Sequence, residues 1–442
     1  MIDQETKDRI LAAADIVDVV GEFVELKKSG SGYVGLCPFH DDSTPSLTVS
    51  PARGTYKCFA CGEGGNVVSF LMKKEMMTYP EVMEWLAKRY GIDIPHPRQT
   101  REQWREMNER DGMYAINEMA MKYYQERLQY GKEGEAGREF FKKRGISDDM
   151  VYNFGLGYVP HNSGLMSYVM SEGQSIKHLF GSGNNVKFKS GKTLHVTNGI
   201  GLVCQRENGS FVERYAGRVV FPWHNISGRV VAFGARVLDA RSNGIVMKYV
   251  NSSDSCIYTK GKELYGLFQA KRSIAEEEMV YVVEGYMDVI SMHQCGIKNV
   301  VANSGTAMTI AQAQLLKRFS KNATLMYDSD AAGLKATVRS IDILLSEDMN
   351  VYVITLPDGE DPDSFCQGHS EEDVKTFFAN HRQTFAEFMT HAMLDGVTDP
   401  VLQSEAVHCI LDCINKIQDP IKRTLFIKHL SNVSGLDEQL LV

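Results

Sequence analysis

Apolar and polar positions change rhythm several times along the chain. "ETKDRILAAADIVDVVGEF" (5–23) has the spacing of a short helix and a turn, and a β-like stretch holding three cysteines follows to about Gly65. "NVVSFLMKKEMMTYPEVMEWLAKRY" (66–90) returns to apolar residues at helical intervals. "GIDIPHPRQT" (91–100) carries two prolines among polar neighbours and reads as a linker. From Asp111 to Arg144 the pattern is helical, and 151–270 is richer in Gly, Val and short alternating runs, which predicts mixed, mostly β structure. From Met279 the rhythm is regular. "MVYVVE", "KNVVAN", "ATLMYD" and "NVYVITLPD" read as strands, and "YMDVISMHQCG", "TIAQAQLLKRFS" and "AAGLKATVRSIDILLSE" between them as helices. Strands alternating with helices of this length predict a parallel sheet covered by helices. Beyond Cys366 the spacing is helical to the end, and no repeat or low-complexity tract interrupts it.

The parallel sheet gives one short stretch its interest. "YVVEGYMDVI" places Glu284 directly after two valines and Asp288 one helical turn later. An ionised carboxylate at the end of an apolar strand is costly unless it has a partner. Strands of an open parallel sheet point one way, so their C-terminal ends share an edge where ligand sites form. Glu284 ends the first strand. Asp328 ends the third, with Asp330 two residues on, and the segment after the fourth supplies Asp358, Glu360, Asp361 and Asp363. So many like charges repel unless some are protonated or cations sit among them. Hard oxygen donors favour Mg²⁺ or Mn²⁺, ions that often hold substrate phosphates as well. Taken singly, Asp328 and Asp330 also suit helix N-caps, and "DGEDPD" a solvated turn.

Composition adds bounds. Of 442 residues, 43% are apolar and 24% charged, ordinary values for a soluble protein. No apolar run approaches the ~18 residues of a membrane span. The start, "MIDQETKDRI", lacks the character of a secretory signal. These absences lead us to expect a cytoplasmic protein without membrane partners. The net charge is −8, yet from Ile200 to Arg272 11 Lys and Arg stand against 5 Asp and Glu. Such a local basic stretch is the electrostatic footprint of a nucleic-acid face.

The nine cysteines show no disulfide framework. Three of them join a histidine: Cys37-x2-His40, 17 intervening residues, then Cys58-x2-Cys61. Two tight ligand pairs separated by a hairpin-sized segment predict one tetrahedral Zn²⁺. Four protein ligands leave no open position, so the role is structural. Tyr33, Arg53, Tyr56, Lys57 and Phe59 surround the site, and aromatics mixed with cations suit a single strand. "CGEGGNVVSF" lacks the Gly-Lys-Ser/Thr ending of a phosphate loop, and no other segment supplies it, which argues against an ATP-driven motor.

The acids resemble the Toprim signature: a Glu after the first strand and Asp-x-Asp after a later one. With the Cys/His ribbon, "RVVFPWHNISGRVVAFGARV", "KYVNS", "EGYMDV", "DSDAAG" and "LPDGEDPD", nearly the whole chain resembles the bacterial DnaG-type primases. The resemblance implies a multidomain α+β and α/β protein. Its parts are a zinc-ribbon domain with the start of a linker (1–98), a mixed α/β N-terminal lobe of the polymerase core (112–270), a Toprim parallel-sheet catalytic subdomain (271–365) and a helical subdomain (366–442). It implies synthesis of short RNA primers on single-stranded DNA from NTPs, by two-metal nucleotidyl transfer. Glu284, Asp328 and Asp330 would be catalytic. The same three, with Asp288, Asp361 and Asp363, would hold two or more Mg²⁺ or Mn²⁺. Arg218, Arg236, Lys248, Tyr249 and Lys260 match the family's basic face, and Arg144 in "KKRGIS" is a weaker match to it. A replicative helicase and a single-strand DNA-binding protein are implied partners, although no full helicase-docking module is expected after the helical stretch. Two departures stand out: Ser329 where Gly is frequent in Asp-x-Asp, and Met247 where Pro usually precedes Lys248. A Toprim enzyme that cuts DNA and a non-catalytic zinc-dependent single-strand binder are the alternatives.

Overall fold

The computed structural model describes the chain except Met1, Met76, 95–100, 239–246, Thr306, 328–330, Asp358, Val442 and the side chains of 101–105 and 331–332. It divides into two compact units, Met1–Glu106 and Met107–Val442.

The first unit is built around an antiparallel meander: β1 (Lys27–Ser29), β2 (Gly32–Gly35), β3 (Leu47–Ser50), β4 (Thr55–Cys58) and β5 (Gly64–Asn66), in that spatial order. Alternation sets which side chains turn inward. Leu47 and Val49 of β3 are buried, as are Tyr56 and Cys58 of β4, while Thr55 and Lys57 face out. The inward residues pack on Phe70 of the helix Val67–Lys74, whose ring meets Tyr56 edge-on at 5.2 Å. Helices Gln4–Ala13 and Tyr79–Arg89 close a second small core on Val67, Val68 and Leu71. Tyr56 is therefore a core residue, not part of the exposed aromatic set expected around the cysteines.

The second unit opens within the helix Arg101–Gln129, from Met107 on, and continues to the helix Glu135–Lys143. The β-rich lobe follows. It has β6 (Gly157–Val159), two hairpins β7–β8 (Asn185–Lys187, Thr193–His195) and β9–β10 (Val203–Gln205, Phe211–Glu213), then β11 (Arg218–His224), β12 (Val230–Val237) and β13 (Tyr249–Asn251). The main sheet is antiparallel with order β13-β12-β11-β6. β11 and β12 are buried along nearly their whole lengths, since both faces are covered.

The parallel sheet comprises β14 (Val280–Val283), β15 (Val300–Ala302), β16 (Asn322–Leu325) and β17 (Asn350–Val353), with helices Tyr286–Gln294, Ile310–Lys317 and Ala331–Ser346 between them. A two-residue antiparallel edge, β18 (Gln383–Thr384), completes it. Its order is β15-β14-β16-β17-β18, so the chain steps to one side of β14 and then crosses to the other. That reversal makes the C-terminal ends of β14 and β16 a topological switch point. The last helices, Phe385–Leu394, Pro400–Ile414 and Pro420–Ser434, add Phe385, Met389, Ile410 and Leu430 to the core under Val280, Val282 and Leu325.

Lobe and parallel sheet share the other core. Tyr286 lies at its centre, stacked on Phe221 at 5.0 Å and edge-on to Tyr265 at 4.7 Å. Trp223 Nε1 donates to its hydroxyl at 3.1 Å, and the hydroxyl donates to Asn251 Oδ1. Gly234 of β12 leaves room for this ring: a Cβ there would lie 2.3 Å from the phenol oxygen. Gly234→Ala is therefore expected to destabilise the second unit by roughly 1–3 kcal/mol through overpacking, read as a lower urea midpoint by tryptophan fluorescence.

Candidate active site and metal centre

In the first unit, the ligand atoms of Cys37, His40, Cys58 and Cys61 all lie within 4.8 Å of one another. Cys37 Sγ is 3.9 Å from Cys61 Sγ, and Cys58 Sγ is 3.9 Å from His40 Nδ1. Tetrahedral bonds of about 2.3 Å to sulfur give edges of about 3.8 Å, so the four residues fit a zinc ion. The β-strand pairing brings them together, because Cys58 sits on β4 opposite Leu47 and the Cys37–His40 knuckle follows β2.

Asp42, which sequence reasoning passed over, supports the cluster. Its carboxylate accepts the Cys37 N–H at 2.7 Å and the Ser46 hydroxyl at 2.6 Å, and it lies 3.7 Å from His40 Nε2. Outer groups of this kind fix a histidine ligand's tautomer and aim. Its only sequence signal was adjacency to the Cys-x2-His pair. Burial pushes the Cys37 thiol up to about 12. Burial also opposes ionisation of Cys58, but the Ser46 hydroxyl and the Cys61 and Ala60 N–H groups outweigh it and bring that thiol down to about 6. Phe59 is 78% exposed beside the cluster.

In the second unit, register decides what meets at the sheet edge. β14 pairs with β16 so that Val282 lies opposite Leu325. Two residues further on, Glu284 and Tyr327 leave the strands at the same level. Burial pushes the Tyr327 hydroxyl up, and the negative charge of Glu284 adds to that rise, so the two side chains are within electrostatic reach. Asp328 and Asp330, next along the chain, fall outside the described residues, as does Asp358. Asp288 caps its own helix, its Oδ2 accepting the Gly285 N–H at 2.8 Å. It is 9% exposed, and its charge acts on the Tyr249 phenol and the Cys366 thiol. Asp361 is exposed at the N-terminus of the helix Pro362–Gly368, where Oδ1 accepts the Ser364 N–H at 2.7 Å. Glu360 brings a buried carboxylate oxygen, Oε2, with no hydrogen-bond partner among the described residues. Among the described residues no three of these carboxylates lie close enough to hold a metal ion, and the Cys/His group of the first unit is the one cluster that does.

Two expected site residues sit differently. Asp363, expected at the metal, is 2% exposed; Arg144 pairs with its Oδ2, and Ser291 and Gln367 donate to its Oδ1. A carboxylate this enclosed is held by protein donors. Arg218, expected on the basic face, is 9% exposed, and its Nη1 donates to the carbonyls of Met247 at 3.0 Å and Lys248 at 3.4 Å. It steadies the backbone that carries Lys248 and does not itself face solvent.

The remaining basic residues are accessible. Lys248 is exposed, its ammonium 6.0 Å from the Tyr249 ring. Arg236 is half-buried and donates to the Tyr249 hydroxyl at 3.2 Å. Lys260 is half-buried, its ammonium pulled down by burial, and a Cβ on Gly305 after β15 would lie 3.9 Å from it.

Comparison with known proteins follows this layout. Residues 2–102 match the CHC2 zinc finger, 123–271 the N-terminal domain of the DNA primase catalytic core, and 281–366 the Toprim-like family. A DNA primase of Listeria monocytogenes is 33% identical over 440 residues, which span 98% of this chain and 67% of that protein. The chain belongs to the bacterial DnaG-type DNA primase family. A primase of Halalkalibacterium halodurans is 35% identical over 442 residues, covering 98% of this chain and 69% of the relative. The crystal structure of the zinc-binding and RNA polymerase domains of the Aquifex aeolicus primase matches 99% of this chain and 98% of its own, with 31% identity and a TM-score of 0.63. A DnaG primase catalytic domain bound to ssDNA matches 76% of this chain and 99% of its own, at 26% identity and a TM-score of 0.60. Primer synthesis, rather than DNA cleavage, is thus the activity of this primase, and its ribbon is a zinc domain.

Zinc in a closed site of this kind contributes about 10–16 kcal/mol, comparable to the whole ~5–15 kcal/mol stability of a domain. Stripping the metal, or Cys61→Ser, is expected to unfold the ribbon while Met107–Val442 stays folded. Limited proteolysis should then cut within Lys27–Asn66 first. Uptake of zinc by the stripped protein should release protons from the three cysteine thiols that become ligands, so affinity should fall as pH falls; calorimetry in buffers of different ionisation enthalpy measures this.

Proposed function

We propose that this primase is a DNA-directed RNA polymerase of the nucleotidyltransferase class that joins NTPs on a single-stranded DNA template at the rim formed by β14 and β16. The observation that carries this reading is the parallel register that sets Glu284 level with the residue preceding Asp328. Glu284, Asp288, Asp328, Asp330 and Asp361 would hold Mg²⁺ or Mn²⁺. Bound there, two such ions supply activation of the primer 3′-hydroxyl and charge stabilisation at the α-phosphate. Glu284 then organises the metal site or accepts the proton.

Lys248, Tyr249, Arg236 and Lys260 form the wall that takes the phosphates of template and nucleotide. Neutralising phosphate charge supplies most sequence-independent affinity for a strand, and the tyrosine offers a stacking face. Arg218 serves this wall from behind. The solved DnaG primase domain bound to ssDNA supports the choice of template. A replicative helicase and a single-strand DNA-binding protein remain partners proposed from family membership. No described helix is long and apolar enough to cross a membrane.

The test is template-directed synthesis with NTPs and Mg²⁺. The unmodified protein should make short RNA, and Glu284→Gln should lower the rate by about 10²-fold or more, the scale of losing an electrostatic group from a reaction centre. Oligonucleotide binding by the same variant, measured by fluorescence anisotropy, should change little. Nicked or relaxed plasmid in place of RNA would refute the reading.

A further inference from the structure

β17 enters its sheet at Asn350 and runs toward Glu360 and Asp361. At its start, away from that end, a cavity of about 240 Å³ opens between the strand and the last helices. Strand pairing explains the gap. β18 pairs with Tyr352 and Val353 only, because the chain turns into the helix Phe385–Leu394 straight after Thr384. On that side Asn350 and Val351 have no strand beside them among the described residues. Side chains wall the space instead. Leu345 and Met349 come from the segment before β17, Val351 from the strand, Phe385 from the next helix, and Ile417 and Phe426 from the helical subdomain. All but Phe426 are buried. The rings of Phe385 and Phe426 stand 4.8 Å apart.

The mouth is polar, and one of its charges is not balanced. Asp348 faces Lys317 at 3.7 Å. Thr384 donates its hydroxyl to the Glu387 carboxylate and accepts the Glu387 N–H. Asn350 donates its side-chain amide to Asn322 Oδ1 at 2.7 Å, and its own Oδ1 accepts the Lys422 ammonium at 2.6 Å. Lys422 has no carboxylate partner among the described residues. Asp419, the N-cap of its helix, is engaged by the N–H groups of Ile421 and Lys422. Lys422 also stands in the first turn of the helix Pro420–Ser434, where the helix dipole favours an anion and opposes a cation. A carboxylate beside it would relieve both. Apolar walls with one convergent polar group are the arrangement of a small-molecule site. A cavity of roughly 150 Å³ takes benzene, so this one has room for a ring and a short arm that reaches the ammonium.

We propose that the cavity binds a small apolar carboxylic acid of about ten non-hydrogen atoms, with its hydrocarbon body against Met349, Phe385 and Phe426 and its carboxylate on Lys422. The site shares no residue with the acidic rim or the basic wall, and it stands without the polymerase reading.

Cinnamate is the probe, and cinnamamide, nearly the same shape without the charge, is its control. Both are titrated onto the full chain by ligand-observed NMR. Cinnamate is expected to bind with a Kd of about 1 mM or tighter, as a ligand of this size does in an apolar pocket. Cinnamamide should bind about threefold to fivefold more weakly, the scale of one solvent-exposed ion pair. Lys422→Gln should weaken cinnamate by the same factor and leave cinnamamide unchanged. Ile417→Phe, which fills the cavity, should abolish binding of both probes, with a Tm equal to or above that of the unmodified chain. No cinnamate binding below about 10 mM would overturn the proposal. So would equal affinity for the two probes, a cinnamate Kd that Lys422→Gln does not move, or binding that survives Ile417→Phe. Should Ile417→Phe fail to fold, Lys422→Gln with the two probes decides.

Discussion

The pairing of β14 with β16 is the constraint on which the proposed acidic rim depends. The two strands are separated by a helix, a third strand and another helix, yet Val282 lies opposite Leu325. A slip of one residue would turn every valine of β14 to the wrong face. Burial of Val280 and Val282 in one core and Val283 in the other excludes that slip. The apolar residues that fix the register therefore also fix the level at which Glu284 leaves the sheet beside Tyr327.

Two further elements act on that edge from outside the sheet. The lobe sends Tyr249 and Arg236 on neighbouring strands, and Tyr286 ties those strands to the helix that bears Asp288. The helix ending at Arg144 reaches the same neighbourhood through Asp363 and Gln294. The proposed basic wall and the proposed acidic rim thus share supports, and a change at Tyr286 or Gln294 is expected to reach both without touching either.

Much of this was legible in the chain itself. Regular alternation after Met279 reported the parallel sheet because buried strands and amphipathic helices leave different periods. The Cys/His spacing reported the ribbon because tetrahedral coordination demands two close pairs. Legibility failed where burial, not residue type, sets the role. Tyr56 and Arg218 look like surface residues for a nucleic acid, and both are covered: Tyr56 by Phe39 and Phe70, Arg218 by the loop it holds. Asp363 sits in an acidic run that looks like a single metal loop, but one side of its helix turns inward against Ser291. Asp42 had no signal beyond its neighbours. β18 has only two residues, too few for a period.

Arg218 has one more consequence. By holding the carbonyls of Met247 and Lys248, it anchors the far end of the connection between β12 and β13 independently of what lies between. The spacing of Lys248 from the sheet is then set by a buried cation and not by the length of the connection. Lys248 thus enters β13 held twice over, by strand pairing on one side and by a covered guanidinium on the other.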